Sequence, residues 1–168
     1  MIDGEKQLIQ DAIGGEASAF GLLYDRYQPQ IYRFIYLKVS HREEAEDLCH
    51  QVFLKAWQNI KTYKHKGFPF SAWLYVIARN KVIDHYKQNR ITIDIETVHL
   101  SIEDRTADMN DAKQAIAKLS PIEQDIVIMR FVEDLPIKEV AKNLNKSELT
   151  IRVTQNRAIK KLQKILNQ

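Results

Sequence analysis

Between residues 61 and 73 three lysines, Lys61, Lys64 and Lys66, stand among four aromatic side chains, Tyr63, Phe68, Phe70 and Trp73. Cations neutralise phosphates, and flat rings stack on bases at about 1–3 kcal/mol each, so this mixture suits a single nucleic-acid strand. A second basic cluster, Arg152, Arg157, Lys160, Lys161 and Lys164, lies near the other end of the chain. There Thr150, Arg152, Val153, Asn156 and Arg157 would project from the early turns of one helix. An arginine can read guanine through two parallel hydrogen bonds, which discriminates by about 1–3 kcal/mol, so Arg152 is the best candidate for reading sequence. Arg157, Lys160 and Lys161 suit phosphates better.

Other constellations carry less. Cys49 is the single cysteine and His50 its neighbour, but adjacent helical residues point about 100° apart and two ligands do not hold zinc. Asp84 and His85 form a lone pair on a basic helix, to which we assign no catalysis. Neither a phosphate-binding glycine loop nor a nucleophile elbow nor a histidine–carboxylate cluster is present in the sequence, which points away from an enzyme and from any cofactor or metal.

Charge shows what holds these clusters apart. Residues 1–90 carry 13 Lys/Arg against 10 Asp/Glu, and residues 111–168 carry 11 against 7, whereas residues 91–110 carry five acids and one arginine. The expected organisation is therefore an all-α chain: a helical domain over 1–90, an acidic extended linker over 91–110 and a helical domain over 111–168. A chain of 168 residues has room for two modest cores. No apolar run approaches the roughly 20 residues of a membrane span and no signal peptide is evident, so a cytoplasmic location is expected.

Spacings of three and four between apolar residues predict the helices. The first covers about Asp3 to Ile13 and stops at Gly14 and Gly15. The second covers Ala17 to Val39, kinked or divided at Pro29. The third begins at a capping box, Ser40 with Glu43, and reaches Asn59. Its polar side holds Glu43, Glu46, Asp47, His50 and Gln51. The fourth runs from about Phe70 to Asn89 after a basic loop. In the last domain Ser120, Pro121 and Glu123 open a helix that reaches about Glu133, Pro136 opens a short one ending at Leu144, and Ser147 caps a longer one ending near Leu166. Helix, tight turn and longer helix make a helix-turn-helix, with Ile137, Val140, Ala141, Leu144, Ile151, Ala158 and Leu162 as its small core.

The blocks FGLLYDRYQPQIYRFIY, REEAEDLCHQVFLKAW and FSAWLYVIARNKVIDHYK, in that order, resemble the promoter-melting domain of extracytoplasmic-function sigma factors. The block LSPIEQDIVIMRFVEDLPIKEVAKNLNKSELTIRVTQNRAIKKL resembles their C-terminal helix-turn-helix domain, and together the resemblance covers roughly residues 17–166. The resemblance implies a non-enzymatic subunit that directs bacterial RNA polymerase core to a promoter. It implies that Glu43, Glu46, Asp47 and Gln51 engage the clamp helices of the polymerase, with its flap as a further contact. It implies that Lys64, Phe68, Trp73, Arg79, Asn80 and Lys81 meet the minus-10 element, with Asn80 as the reader of the melted strand. It also implies that the helix from Thr150 to Lys161 meets the minus-35 element, that the acidic linker occupies a basic nucleic-acid channel, and that an anti-sigma factor acts as a partner. Three positions depart from the family: Leu149 stands where glycine is usual, Pro136 where a capping hydroxyl is usual, and Gln155 where an apolar residue is usual.

Overall fold

A computed structural model describes residues 4–64, 69–92 and 107–167, and within them every regular element is a helix. The four helices of the N-terminal half are α1 (Glu5–Ile13), α2 (Ala17–Val39), α3 (Arg42–Asn59) and α4 (Phe70–Thr92). Those of the C-terminal half are α5 (Ala107–Ala117), α6 (Pro121–Val127), α7 (Ile137–Asn143) and α8 (Glu148–Leu166). A short 3-10 turn, Ile60–Thr62, follows α3, and a π turn, Ile128–Val132, prolongs α6.

Local chemistry accounts for most of the boundaries. After α1 the chain turns at Gly15, whose φ of 101° lies in the left-handed region that glycine enters without a Cβ penalty. Pro29 sits exposed inside α2 and does not divide it. Ser40, expected to open α3, instead closes α2: its φ is 62° and its backbone N–H donates to Tyr36 at 2.9 Å. A residue in that left-handed conformation cannot also supply the extended backbone of an N-cap, and His41 takes that place without a side-chain bond. At α8 the expected cap forms, with the Thr150 N–H donating to Ser147 Oγ at 3.1 Å. The helices also reach into both edges of the expected linker, to Thr92 on one side and from Ala107 on the other, while residues 93–106 lie outside the described residues.

At Ser120 the carboxylate of Glu123 accepts from the backbone N–H at 3.0 Å and from the hydroxyl at 2.9 Å. The same carboxylate accepts two hydrogen bonds from Lys161 of α8, at 2.8 and 2.9 Å, so one side chain both caps α6 and ties it to α8. Burial pushes Glu123 upward, but the hydrogen bonds from Lys161 and Ser120 outweigh it and hold the carboxyl below its ordinary value of 4.5. A carboxyl depressed in the folded state stabilises above its unfolded value and loses that contribution as pH falls through the folded one. Glu123→Gln is therefore expected to cost about 1–2 kcal/mol at pH 7 in urea denaturation. The gap between variant and parent is expected to narrow below pH 4.5.

Inside α1 to α4, Leu23, Ile31, Phe34, Ile35, Val52, Leu74 and Tyr75 are fully buried, and inside the C-terminal half so are Ile126, Ile128, Met129 and Ile151. Removing each such side chain from water is worth about 1.5–3 kcal/mol. The two sets are not separate cores. They belong to one continuous apolar cluster, because α5 and the α6–π segment pack on α2, and α7 packs on α4.

Candidate nucleic-acid and polymerase interfaces

Helix α3 presents its two sides as its sequence predicts. Ala45, Leu48, Val52, Phe53 and Ala56 are buried, while Glu43, Glu46, Asp47, His50 and Gln51 are exposed along the opposite side. Glu46 pairs with Arg42 one turn earlier at 2.9 Å, and Gln51 accepts from Lys81 of α4 at 3.4 Å. A polar, mostly acidic face of this kind can meet a basic helix of a partner. Beside it Cys49 is buried, and burial pushes its thiol up to about 12, so at neutral pH it is an unreactive packing group.

Of the described aromatic side chains between residues 61 and 73, the structure buries two. Phe70 is 1% exposed and Tyr63 9%, and their rings meet edge-on at 5.3 Å. They support Trp73, which lies 5.2 Å from Tyr63 and 5.4 Å from Phe70 and is half-buried. Trp73 is thus the described ring of the group with a face left for a base, and Tyr63 and Phe70 are its foundation. Lys66 and Phe68 lie outside the described residues, whereas Lys64 is exposed. Thr62, Tyr63, Lys64, Trp73, Val76 and Lys142 line a cleft of about 330 Å³ between α4 and α7.

Farther along α4, Asn80 is exposed and its amide is free to face a ligand. Arg79 beside it is committed elsewhere: its Nε donates to Asp125 of α6 at 2.8 Å. Asp125 also accepts from Lys38 of α2, and both of those side chains are buried. Sequence reasoning missed Lys38 and Asp125, since a lysine in the last turn of a helix reads as a solvated one. A faint signal exists: Asp125 directly precedes the apolar run from Ile126 to Met129. His85 joins no catalytic pair with Asp84; its Nε2 lies 3.1 Å from Glu44 of α3 and 3.0 Å from Asn89.

In the helix-turn-helix, α7 and α8 pack through Val140, Ala141, Leu144, Ile151 and Ala158, all buried, with Ile137 and Leu162 partly so. That packing leaves Thr150, Arg152, Val153, Asn156, Arg157, Lys160 and Lys161 exposed on α8. Residues 152, 156 and 160, and 153, 157 and 161, repeat every fourth position, so they form one face. Lys161 stands at its edge, held by Glu123, and the Thr150 hydroxyl lies 2.8 Å from Ser147 Oγ. Arg152, Asn156, Arg157 and Lys160 are the polar groups at the centre of this face. The departures are accommodated. Leu149 is 71% exposed, Pro136 is the residue preceding α7, and Gln155 accepts from Arg130 at 3.3 Å.

Among the described residues no three His, Cys, Asp or Glu gather as a metal site, and no helix is long and apolar enough to cross a membrane.

Residues 23–91 match the family Sigma-70 region 2 and residues 115–164 match Sigma-70 region 4. The chain is 37% identical to the ECF RNA polymerase sigma factor BldN of Streptomyces coelicolor over 171 aligned residues, which is 95% of this chain and 65% of that protein. It is 27% identical to the ECF RNA polymerase sigma factor SigX of Bacillus subtilis over 160 residues, 86% of this chain and 82% of that one. Its fold is similar to that of the sigma factor RpoE of Bartonella quintana, solved in complex with the anti-sigma factor NepR. That match has a TM-score of 0.77 and 22% identity, and covers 88% of this chain and 96% of the other.

Proposed function

Since the chain belongs to the extracytoplasmic-function family of sigma factors, we propose that it binds RNA polymerase core, recognises the minus-35 and minus-10 elements and promotes DNA melting for transcription initiation. The observation that carries this reading is the pairing of two unlike nucleic-acid surfaces on one chain. A duplex reader needs only the exposed basic face of α8, because a recognition helix fits the major groove of closed DNA. It has no use for Trp73 on an aromatic foundation with Asn80 exposed along the same helix, which suit bases already out of the stack.

On this reading α3 docks on the clamp helices through Asp47 and Gln51, with Glu43 and Glu46 flanking them, and the flap meets the C-terminal domain. Trp73, Asn80, Lys81 and Lys64 hold the minus-10 strand, joined by Arg79 once it leaves Asp125. Arg152 reads the minus-35 duplex with Val153 and Asn156, and Arg157 and Lys160 hold its phosphates. The chain carries out no reaction of its own and works in the cytoplasm, where polymerase is. An anti-sigma factor is the natural regulator, as NepR is a partner of the RpoE structure.

Run-off transcription with core polymerase on a random promoter library tests the proposal. Transcripts that depend on the protein, from templates sharing two separated elements, are expected; no dependent transcript would sink it. Asp47→Ala combined with Gln51→Ala is expected to weaken core binding about tenfold in a pull-down titration, while the circular dichroism stays that of the parent. Unchanged affinity would remove α3 from the interface.

A further inference from the structure

The face of α8 assigned to duplex DNA is not polar throughout. Leu149 is 71% exposed and Val153 50%, and the two stand four positions apart in the first two turns of the helix. At about 100° per residue, Leu149 lies within roughly 60° of Arg152, Val153, Asn156 and Lys160 around the helix axis. Ile151 and Ala158, the buried residues of α8, lie roughly 160–180° from it. Leu149 is thus turned away from the core of the domain and stands in the middle of the cationic face. It is also a position at which this chain departs from its family, so what it touches is this chain's own.

A leucine in water exposes apolar surface that favours burial, and duplex DNA offers it one specific cover. In the major groove thymine alone among the bases presents a methyl group, on C5. A partner helix or groove is a poor fit, because such docking needs apolar anchors repeated over several turns, whereas here Arg152, Asn156, Arg157 and Lys160 hem in a pair. Those cations draw in a polyanion instead. A pose that sets Arg152 over a guanine brings the neighbouring side chains of the same face against adjacent base edges. Leu149 and Val153 are about 6 Å apart along the helix axis and stacked bases rise about 3.4 Å, so the two fall at most about two base-pair steps apart.

We propose that Leu149 and Val153 read thymine in the minus-35 element, each packing on a 5-methyl group in the major groove beside the guanine that Arg152 pairs with; this deepens the promoter-binding reading above and rests on it. The probe is deoxyuridine, which pairs with adenine as thymidine does and lacks only that methyl. Duplexes retained by the full chain together with core polymerase are selected from a random library, and each thymine of their upstream element is then replaced in turn. The parent is expected to lose about fourfold in affinity at two positions, the equivalent of about 0.8 kcal/mol per buried methyl group. Leu149→Ala is expected to bind the thymine duplex less tightly and to be indifferent to the methyl at one of those positions, and Val153→Ala at the other. Both side chains are exposed, so both variants are expected to keep the parent's circular dichroism. Equal binding of thymine and deoxyuridine duplexes by the parent at every upstream position overturns the proposal. Variants that weaken binding yet keep the parent's response to each methyl overturn it too, since their lost contact is then with something other than thymine. The failure of the underlying reading looks different: a library from which the protein retains no duplex removes promoter binding and this inference together, whereas retained duplexes that are blind to the methyl remove the inference alone.

Discussion

Phe34→Ala is expected to lower the stability of the chain by about 3–5 kcal/mol, the usual cost of truncating a buried phenylalanine and leaving a cavity. Phe34 is fully buried on α2, meets Tyr75 of α4 edge-on at 5.4 Å, and lies under the Lys38 ammonium, 5.5 Å from its ring centre. Its ring is thus the floor on which the buried ion pair to α6 rests. Domains are stable by only about 5–15 kcal/mol, so the loss is a large fraction of the total. Leu22→Ala on the same helix is the control: Leu22 is 55% exposed, and the change there is expected to stay within about 0.5 kcal/mol. Urea denaturation of both variants measures the difference, and equal midpoints would mean that α2 does not face the core as described.

Much of this fold was legible because its signals are local. The limits of α2, the cap at Ser147 and the box at Ser120 and Glu123 each depend on residues a few positions apart, and the structure forms them as expected. Ser40 misled for a physical reason: a serine three residues before a glutamate fits a capping box, but the same residue was needed in a left-handed conformation to end α2. Competition between the end of one helix and the start of the next is invisible to a motif read in isolation.

The two faces of α3 and the exposed face of α8 were likewise legible, since periodicity alone decides which side chains a helix turns outward. What it could not say is which polar groups are already engaged. Lys161 reads as a phosphate binder and Arg79 as a contact to the minus-10 element, yet Lys161 sits on Glu123 and Arg79 on Asp125, partners 38 and 46 positions away. Lys38 and Asp125 are 87 positions apart and carry no local signal that either is buried. Charge asymmetry predicted two basic domains kept apart by an acidic segment. The apolar cluster joining them arises from α5, α6 and α7 meeting α2 and α4, a long-range event that composition does not encode.

The two nucleic-acid surfaces are expected to fail differently, and by amounts large enough to separate them. Arg152 is exposed on α8, where its guanidinium can pair with a guanine only in an intact major groove. Arg152→Ala is expected to lose about 1–3 kcal/mol of promoter binding, roughly five- to more than a hundredfold in affinity, and to relax selectivity at one base pair. Asn80 is exposed on α4, and its amide meets a base edge only after that base has left the stack. Asn80→Ala is therefore expected to bind the upstream duplex nearly as the parent does, yet to open the promoter poorly. A template carrying a pre-melted bubble removes the few kcal/mol of unstacking from the reaction, and so restores the opening part of the Asn80→Ala defect. It gives Arg152→Ala no selective benefit, because the guanine that Arg152 would pair with lies in DNA that stays double-stranded. Permanganate footprinting of thymines in open complexes, on intact and bubble templates side by side, reads both effects at once. If the two variants respond identically to the bubble, then strand reading does not reside on α4 and duplex reading on α8, and the division of labour between the two halves is wrong.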